Sequence, residues 1–467
     1  MFNSIIIMKK REFLKYLKER CQVSDILQGS VLNLTHESKG VVKIGHFPVF
    51  IKNSLPGEDI EYKITKKKSK FAEGELVGIL KENERRVTPP CPYFFECGGC
   101  QTQHMDDSLE IEFKTESVKN TLSRHIKSIK VNTCVSKHLY DYRNKSVFHV
   151  REVDGDVHIG FYKEKSRDIV DVNYCMIQKP IANDIIKTVR RLIKTYNISA
   201  YNEKSGKGYL RNIIIRSNND NSEIQVVFVT NSESEMNKMF VEDLVHAHQN
   251  ITSVIQNVNQ KRTNLVTGRE SRVIHGNERI QDKLLGKTFK LRHQSFYQVN
   301  HGVTEILYQE AIDRAKLTED DIVIDAYCGV GTIGQIASPY VKKVIGIEVV
   351  EEAIRDAKEN AELNDITNTE YHVGKAEEIM KQLVKNNVQP DVVFIDPPRV
   401  GTDKDFLDAV LEVAPDRIVY ISCNPATLGR DVKILSEQYE IDDVTPFNMF
   451  GKTYHVEAVC SMIKKTT

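Results

Sequence analysis

The sequence contains no run approaching the roughly 18 to 20 consecutive apolar residues that a membrane-spanning helix needs, so no membrane partner is expected. Its opening apolar stretch, Ile5 to Met8, precedes Lys9 and Lys10, the reverse of a secretory signal, and a cytoplasmic protein is expected. Cysteine is scarce: nine in 467 residues are too few for a disulfide scaffold, so any clustered ones point to metal or catalysis. Glycine (24) and proline (13) are sparse beside 40% hydrophobic and 28% charged residues, which excludes collagen-like and disordered chains and leaves ample material for packed cores. Net charge is missing too, with 65 basic against 65 acidic side chains, a balance that taken whole argues against nucleic acid.

That balance is not uniform along the chain. Residues 1–300 hold 48 basic and 35 acidic side chains, and residues 301–467 hold 17 and 30, so the zero is +13 cancelled by −13. A polyanion-binding front and an acidic, enzymatic back give this split; ordinary solvated faces give it as well.

The length suggests two or three domains of about 150 residues each. Residues 9–20 have the spacing of a short basic amphipathic helix, with Phe13, Leu14 and Leu17 on one side. Residues 22–82 alternate apolar and polar in short strands, with Lys66-Lys-Lys-Ser-Lys70 on a hairpin tip, and read as a small all-β barrel with a basic edge. After the stiff Val87-Thr-Pro-Pro90 linker, residues 83–290 mix strands such as Glu223–Val229 with a basic helix around 181–194 and read as an α+β domain. Residues 291–467 alternate helix and strand around a Gly-rich turn, the pattern of a doubly wound, mostly parallel α/β sheet.

Cys91, Cys97 and Cys100 are spaced Cys-x5-Cys-x2-Cys, with Cys175 a distant fourth ligand. Four thiolates suit either an iron–sulfur cluster or tetrahedral zinc, and unligated cysteines are the third reading. Gly98-Gly99 suits the cluster, because residues without Cβ let backbone N–H groups approach sulfur.

Asp321 to Gly334 is a buried strand running into Gly329-x-Gly331-x-x-Gly334 and then a helix, and Glu348 ends the next strand at about the 20-residue offset of a ribose-binding carboxylate. NAD and S-adenosylmethionine both fit; Asp325, four residues before Gly329, tilts the choice toward the cationic sulfonium of S-adenosylmethionine. Two later strand ends deliver Asp396 with Arg399, and Cys423 flanked by Ser422 and Asn424. A buried cysteine at a strand end is usually a small hydrophobe, but beside Asp396 at the same edge Cys423 becomes a candidate nucleophile.

Six segments in order carry a resemblance: Cys91 to His104, Ser295-Phe-Tyr-Gln-Val-Asn300, Asp325-Ala-Tyr-Cys-Gly-Val-Gly331, Asp396-Pro-Pro-Arg-Val-Gly401, Tyr420 to Thr427 and His455-Val-Glu457. Over nearly its whole length the chain resembles the bacterial RNA (uracil-5-)-methyltransferases, the RumA/TrmA group. The resemblance implies a Rossmann-like S-adenosylmethionine domain, an OB-like TRAM barrel that holds RNA, and a [4Fe-4S] cluster on Cys91, Cys97, Cys100 and Cys175. It also implies that Cys423 adds to uracil C6 and Glu457 removes the C5 proton, where the bland reading of Glu457 is a surface strand-edge residue. Gln298, Tyr327, Gly329 and Glu348 match the cofactor-binding positions, and Asp396 would hold uracil or cofactor.

The barrel and cluster together imply 23S ribosomal RNA as the partner, with transfer RNA the near alternative, no DNA, and a monomer. A nicotinamide oxidoreductase and a non-catalytic RNA-binding protein are the readings from other classes. One departure is visible: Gly451-Lys452 stands where the family has Pro followed by Gln or His, which implies a more flexible loop with an added charge.

Overall fold

The computed structural model describes residues 22–262 and 265–466; the helix expected over 9–20 lies outside them. The chain divides into two units, one of residues up to 94, 100–117 and 452–455, the other of 95–99, 118–451 and 456–467.

In the first unit, strands Ile26–Ser30, Asn33–Leu34, Gly40–Ile44, Phe47–Ile51, Asp59–Lys67 and Ala72–Lys81 form one sheet. Their period-2 pattern puts alternate side chains inside, as in Phe47–Ile51, where Phe47, Val49 and Ile51 are buried and Pro48 and Phe50 are not. The sheet curls so that its first strand lies against Gly40–Ile44: a Cβ on Gly29 would be 2.7 Å from Val42 Cγ1, so a larger residue there would force a shift. The enclosed core is Val31, Val42, Phe47, Val49, Ile51, Ile60, Tyr62, Ile64 and Ala72, each large apolar side chain contributing about 1.5–3 kcal/mol over its exposed state. Strands Asp59–Lys67 and Ala72–Lys81 pair antiparallel, with Lys66, Lys68 and Lys70 exposed at the tip.

The second unit holds two seven-stranded sheets. In the first, the order is Glu270–Gly276, Ile251–Val258, Ile224–Thr230, Leu210–Ser217, Lys145–Val153, Asp156–Tyr162, Ile169–Asp171. Only Ile224–Thr230 and Ile251–Val258 are parallel, because helix Lys238–Ala247 carries the chain back between them. Helix Pro180–Thr195 has proline in its first turn and buries Ile185, Ile186, Val189, Leu192 and Ile193 in the same core.

The second sheet comprises β1 (Ile322–Ala326), β2 (Lys343–Glu348), β3 (Thr369–Val373), β4 (Val392–Ile395), β5 (Arg417–Ser422), β6 (Tyr439–Phe447) and β7 (Glu457–Lys464). Its order is 3-2-1-4-5-7-6, with β1 to β5 parallel and β7 antiparallel to both β5 and β6. This is a Rossmann-like sheet with an antiparallel edge. The run Val392-Val-Phe-Ile395 is wholly buried, as a strand covered on both faces must be. Helix His301–Ala315, N-capped by the Asn300 side chain, and hairpin Ile280–Leu291 pack on this sheet. No helix among the described residues is long and apolar enough to cross a membrane.

Candidate active site

Strand order reverses between β1 and β4, so the loops after β1, β4 and β5 open a crevice at one edge of the sheet. Because β7 runs the other way, its first residue, Glu457, starts at that same edge.

On the β1 side, the loop runs through Tyr327 (φ +63°), Gly329 (φ +55°) and Gly331 (φ +81°). Left-handed backbone is rare for a tyrosine and marks a loop held by its surroundings. Gly334 lets the following helix sit close to β1, since a Cβ there would be 2.8 Å from Val344 Cγ1 and 2.9 Å from Asp325 Oδ2. Asp325 accepts the Gly334 N–H at 2.8 Å through Oδ2, while its buried Oδ1 has no partner. Burial pushes Asp325 up to about 7 against that hydrogen bond, and Asp396 and Glu348 add to the shift. Glu348 accepts the N–H groups of Gly329 (3.3 Å) and Val350 (3.0 Å).

Gly329 and Glu348 line a cleft of about 630 Å³ together with Ser295, Phe296, Val350 and Asp356. Of the expected cofactor residues, these two line it and Gln298, Tyr327 and Asp396 do not. Gln298 is buried, its carbonyl accepting the Asn144 side-chain amide at 3.0 Å, and the Tyr327 ring packs 5.3 Å from that of Phe406.

On the β5 side, Ser422 pairs with Ala458 of β7, so Cys423 and Glu457 follow at the same step of the two strands. Cys423 is half-buried; burial pushes its thiol up to about 11, Glu457 and Asp396 reinforcing and Arg399 opposing. Glu457 is 3% exposed, and burial holds its carboxyl well above the usual range, with Asp396 adding and Arg399 opposing. Burial likewise pushes Asp396 up to about 7. A thiol, two carboxyls and one guanidinium therefore sense each other in a poorly solvated mouth, the setting in which proton transfers are tuned toward neutral pH.

The sequence model of the tRNA (uracil-5-)-methyltransferase family matches residues 106–465. The chain belongs to this family. It is 44% identical over 441 residues to a protein of Staphylococcus aureus (strain MSSA476) described as an uncharacterized RNA methyltransferase, covering 93% of this chain and 97% of that one. A Staphylococcus epidermidis (strain ATCC 12228) protein of the same description is 41% identical over 454 residues, 96% and 99% of the two chains. Among solved structures, the Pyrococcus abyssi tRNA (uracil-54, C5)-methyltransferase in complex with S-adenosyl-L-homocysteine aligns with a TM-score of 0.77 at 26% identity, covering 94% of this chain and all of that one. The protein is thus an S-adenosylmethionine-dependent RNA methyltransferase of the uracil-5 family.

In this family member the expected cluster cysteines divide between the units, Cys91 and Cys100 in the first, Cys97 and Cys175 in the second. The Gly99 N–H donates to Cys97 Sγ at 3.4 Å. Among the described residues, however, no group of three or more His, Cys, Asp or Glu side chains that could hold a metal ion is present. Each unit by itself holds two of these four cysteines, and no step of the reaction is routed through a cluster.

The Gly451-Lys452 departure does not make a loose, charged loop. A Cβ on Gly451 would lie 2.7 Å from Leu139 Cα, and the Gly451 carbonyl accepts the Tyr142 hydroxyl at 3.0 Å. Lys452 is 2% exposed and ion-paired internally, so its charge does not face solvent.

The supporting roles of two residues went unread in the sequence, although Asn424 was noted there beside Cys423. Asn424 caps helix Pro425–Leu435, accepting the Ala426 N–H at 3.1 Å, while its amide donates to the Arg399 carbonyl at 3.0 Å and ties the β4 loop to the β5 loop. Its signal was Asn immediately before Pro, an N-cap followed by a first-turn proline. Asp431, fully buried, accepts the Thr402 N–H and hydroxyl (both 3.0 Å), the Tyr420 hydroxyl (2.7 Å) and Arg430 Nε (2.6 Å). A lone helical aspartate gives no such signal.

Proposed function

We propose that this methyltransferase makes 5-methyluridine in 23S ribosomal RNA, with Cys423 as nucleophile and Glu457 as the base that removes the C5 proton. The observation that supports the reading best is the shared register of Cys423 and Glu457 at the sheet edge where Asp396 and Arg399 also act on both.

Uracil C5 is too weak a nucleophile to take a methyl group unaided. As the Cys423 Sγ–C6 bond forms, the C5=C6 pair shifts toward the C4 carbonyl and C5 gains carbanion character. Bound S-adenosylmethionine would supply C5 with a methyl group from its cationic sulfonium, the S–CH3 bonding pair staying on sulfur. Glu457 then takes the C5 proton; the C–H pair restores C5=C6 and expels Sγ, which returns Cys423. A carboxyl held above the usual range is the stronger base for that step once ionised. Burial disfavours the Cys423 thiolate, and the Arg399 guanidinium favours it. Gly329 and Glu348 would bind the cofactor's nucleoside, with Gln298 and Tyr327 beside them, and Asp396 would hold the uracil or the cofactor by hydrogen bonds.

Ribosomal RNA is favoured by the basic front half and by residues 22–82, read as a TRAM-like barrel ahead of a middle domain (83–290) and a catalytic domain (291–467). The [4Fe-4S] assignment of Cys91, Cys97, Cys100 and Cys175 rests on the family resemblance, their spacing suiting a cluster or zinc alike; stoichiometric iron and sulfide in anaerobically purified protein support it, and stoichiometric zinc or no metal rejects it. The second reading is transfer RNA, favoured by the Pyrococcus abyssi neighbour, whose own substrate is tRNA uracil 54. Mass spectrometry of ribosomal and transfer RNA from a strain lacking the gene separates them: 5-methyluridine is lost from 23S RNA on the first reading and from transfer RNA alone on the second.

A further inference from the structure

Two cations of the second unit lie behind one wall of the cleft that Gly329 and Glu348 line. Arg216, on strand Leu210–Ser217, is 4% exposed; its Nη2 donates to the Ser295 carbonyl at 2.5 Å, and its Nε and Nη1 have no hydrogen-bond partner among the described residues. Lys145, partly buried at the start of strand Lys145–Val153, donates through Nζ to the His293 carbonyl at 3.1 Å. A buried charge is costly unless it is paired, yet neither cation makes an ion pair among the described residues, and Asp282 acts on Arg216 only from a distance. Their field reaches the neighbouring imidazole: His293 is held down at about 4, by burial first and then by Lys145 and Arg216.

Lys145 and Arg216 do not line the cleft, whereas His293, Gln294, Ser295 and Phe296 do. A trans peptide is planar, with its carbonyl and the following N–H pointing opposite ways. The His293 and Ser295 carbonyls point back at the cations, so the Gln294 and Phe296 N–H groups point away from them, toward the cleft. Neither N–H has an acceptor among the described residues. The cations thus keep two backbone donors aimed outward and add their own positive field, the arrangement of an anion site.

The other charges of the cleft point to what those donors receive. Arg292 pairs with Glu278 and Asp356, and Arg355 with Glu352. Two charges remain: Glu348, matched to the cofactor, and Arg269, which makes no ion pair among the described residues and directly precedes the strand that carries Ser271. The Phe296 ring is 72% exposed beside the donors, and an exposed aromatic next to a cationic site suits a single-stranded nucleotide, its base on the ring and its phosphate on the cations. A cofactor carboxylate would use the same donors but leave the ring idle. We infer that Arg269, Ser271 and the Gln294 and Phe296 N–H groups form a phosphate-binding site for one nucleotide of the RNA, backed by Arg216 and Lys145. The inference needs only the methylation of RNA; it is independent of which RNA is the substrate and of whether Cys423 is the nucleophile.

The test uses full-length protein, isotopically labelled S-adenosylmethionine and total RNA from a strain lacking the gene, which carries the unmethylated target whichever RNA that is. KM for RNA is measured from low to high salt, and S-adenosylhomocysteine affinity by calorimetry, for wild type, Arg269→Ala, Arg216→Met and Arg216→Lys, each normalised to the folded fraction from thermal melts. Arg269 is exposed, so Arg269→Ala folds and decides the question even if the Arg216 variants do not. Expected in Arg269→Ala are a KM for RNA raised on the order of tenfold, a log–log dependence of KM on salt shallower by about 1, and S-adenosylhomocysteine affinity at the wild-type value. Arg216→Met is expected to raise KM for RNA likewise, and Arg216→Lys to restore most of it, since a cation remains behind the wall. KM for RNA and its salt dependence at wild-type values in Arg269→Ala overturn the inference. A loss of S-adenosylhomocysteine affinity with the salt dependence unchanged overturns it too, assigning the donors to the cofactor's carboxylate.

Discussion

Ser422 of β5 and Ala458 of β7 are partners across an antiparallel pairing, the step just inside the positions of Cys423 and Glu457. One parallel and one reversed strand thereby bring Cys423, the first residue after β5, and Glu457, the first of β7, to the same edge, the two positions proposed above for nucleophile and base. Glu457 sits on a paired strand and Cys423 directly follows one, and positions on such elements are more precisely held than positions on loops.

Removing the nucleophile isolates its step. Cys423→Ala is expected to lower methylation by at least about four orders of magnitude, the scale of lost covalent catalysis in residues that act as a unit, while filter binding shows unchanged RNA affinity. Methylation near the wild-type rate would assign the role elsewhere.

The buried carboxyls are expected to make cofactor preference depend on pH. Asp325 and Asp396 are each pushed up to about 7 from an ordinary 3.8. Between these limits the unfolded chain has lost the protons and the folded one retains them. Stability of the ligand-free protein therefore falls as pH rises from about 4 to 7 and levels above, by on the order of 4 kcal/mol for Asp325. Ionised carboxylates favour the cationic sulfonium over neutral S-adenosylhomocysteine, so the ratio of their affinities, measured by calorimetry, is expected to rise from pH 5.5 to 8. A flat ratio would disconnect these carboxyls from the sulfonium.

Asp431 touches no reacting atom but is the shared acceptor for Thr402, Tyr420 and Arg430. Asp431→Ala leaves the Tyr420 hydroxyl and the Thr402 donors without their acceptor and is expected to cost roughly 2–4 kcal/mol in denaturant unfolding. It should also reduce kcat more than it raises KM for RNA, because Arg430 and Asp431 together hold the loop that carries Asp396 and Arg399.

Much of the site was legible because parallel βα units send every strand's C-terminal end to one edge. Gly329, Glu348, Asp396 and Cys423 could each be read as the end of an apolar run followed by a turn. Glu457 could not, since it begins an antiparallel strand, and only its family motif singled it out. The sheet's 3-2-1-4-5-7-6 order was likewise beyond periodicity, which gives elements but not neighbours. Lys452 was noticed as a departure, yet its meaning depended on Asp107 and Glu110, 345 and 342 residues away. Nothing local distinguishes a buried, clamped lysine from a solvated one.

Gly451 shows the same limit. A glycine in a loop suggests freedom, but its missing Cβ here admits the Leu139 backbone. Gly451→Ala is expected to destabilise the protein by about 1–3 kcal/mol through overpacking, read as a lower Tm. An unchanged Tm would show that Leu139 moves aside without penalty.

The central claim, addition by Cys423 followed by loss of the C5 proton, is tested most directly with RNA in which the target uridine carries fluorine at C5. The fluorine cannot leave as a proton does, so addition and methyl transfer proceed and elimination stops. Mass spectrometry of the digested, denatured complex is predicted to find the methylated fluorouracil bonded to the peptide bearing Cys423. A complex joined at another residue, or turnover with no covalent complex, would contradict the account.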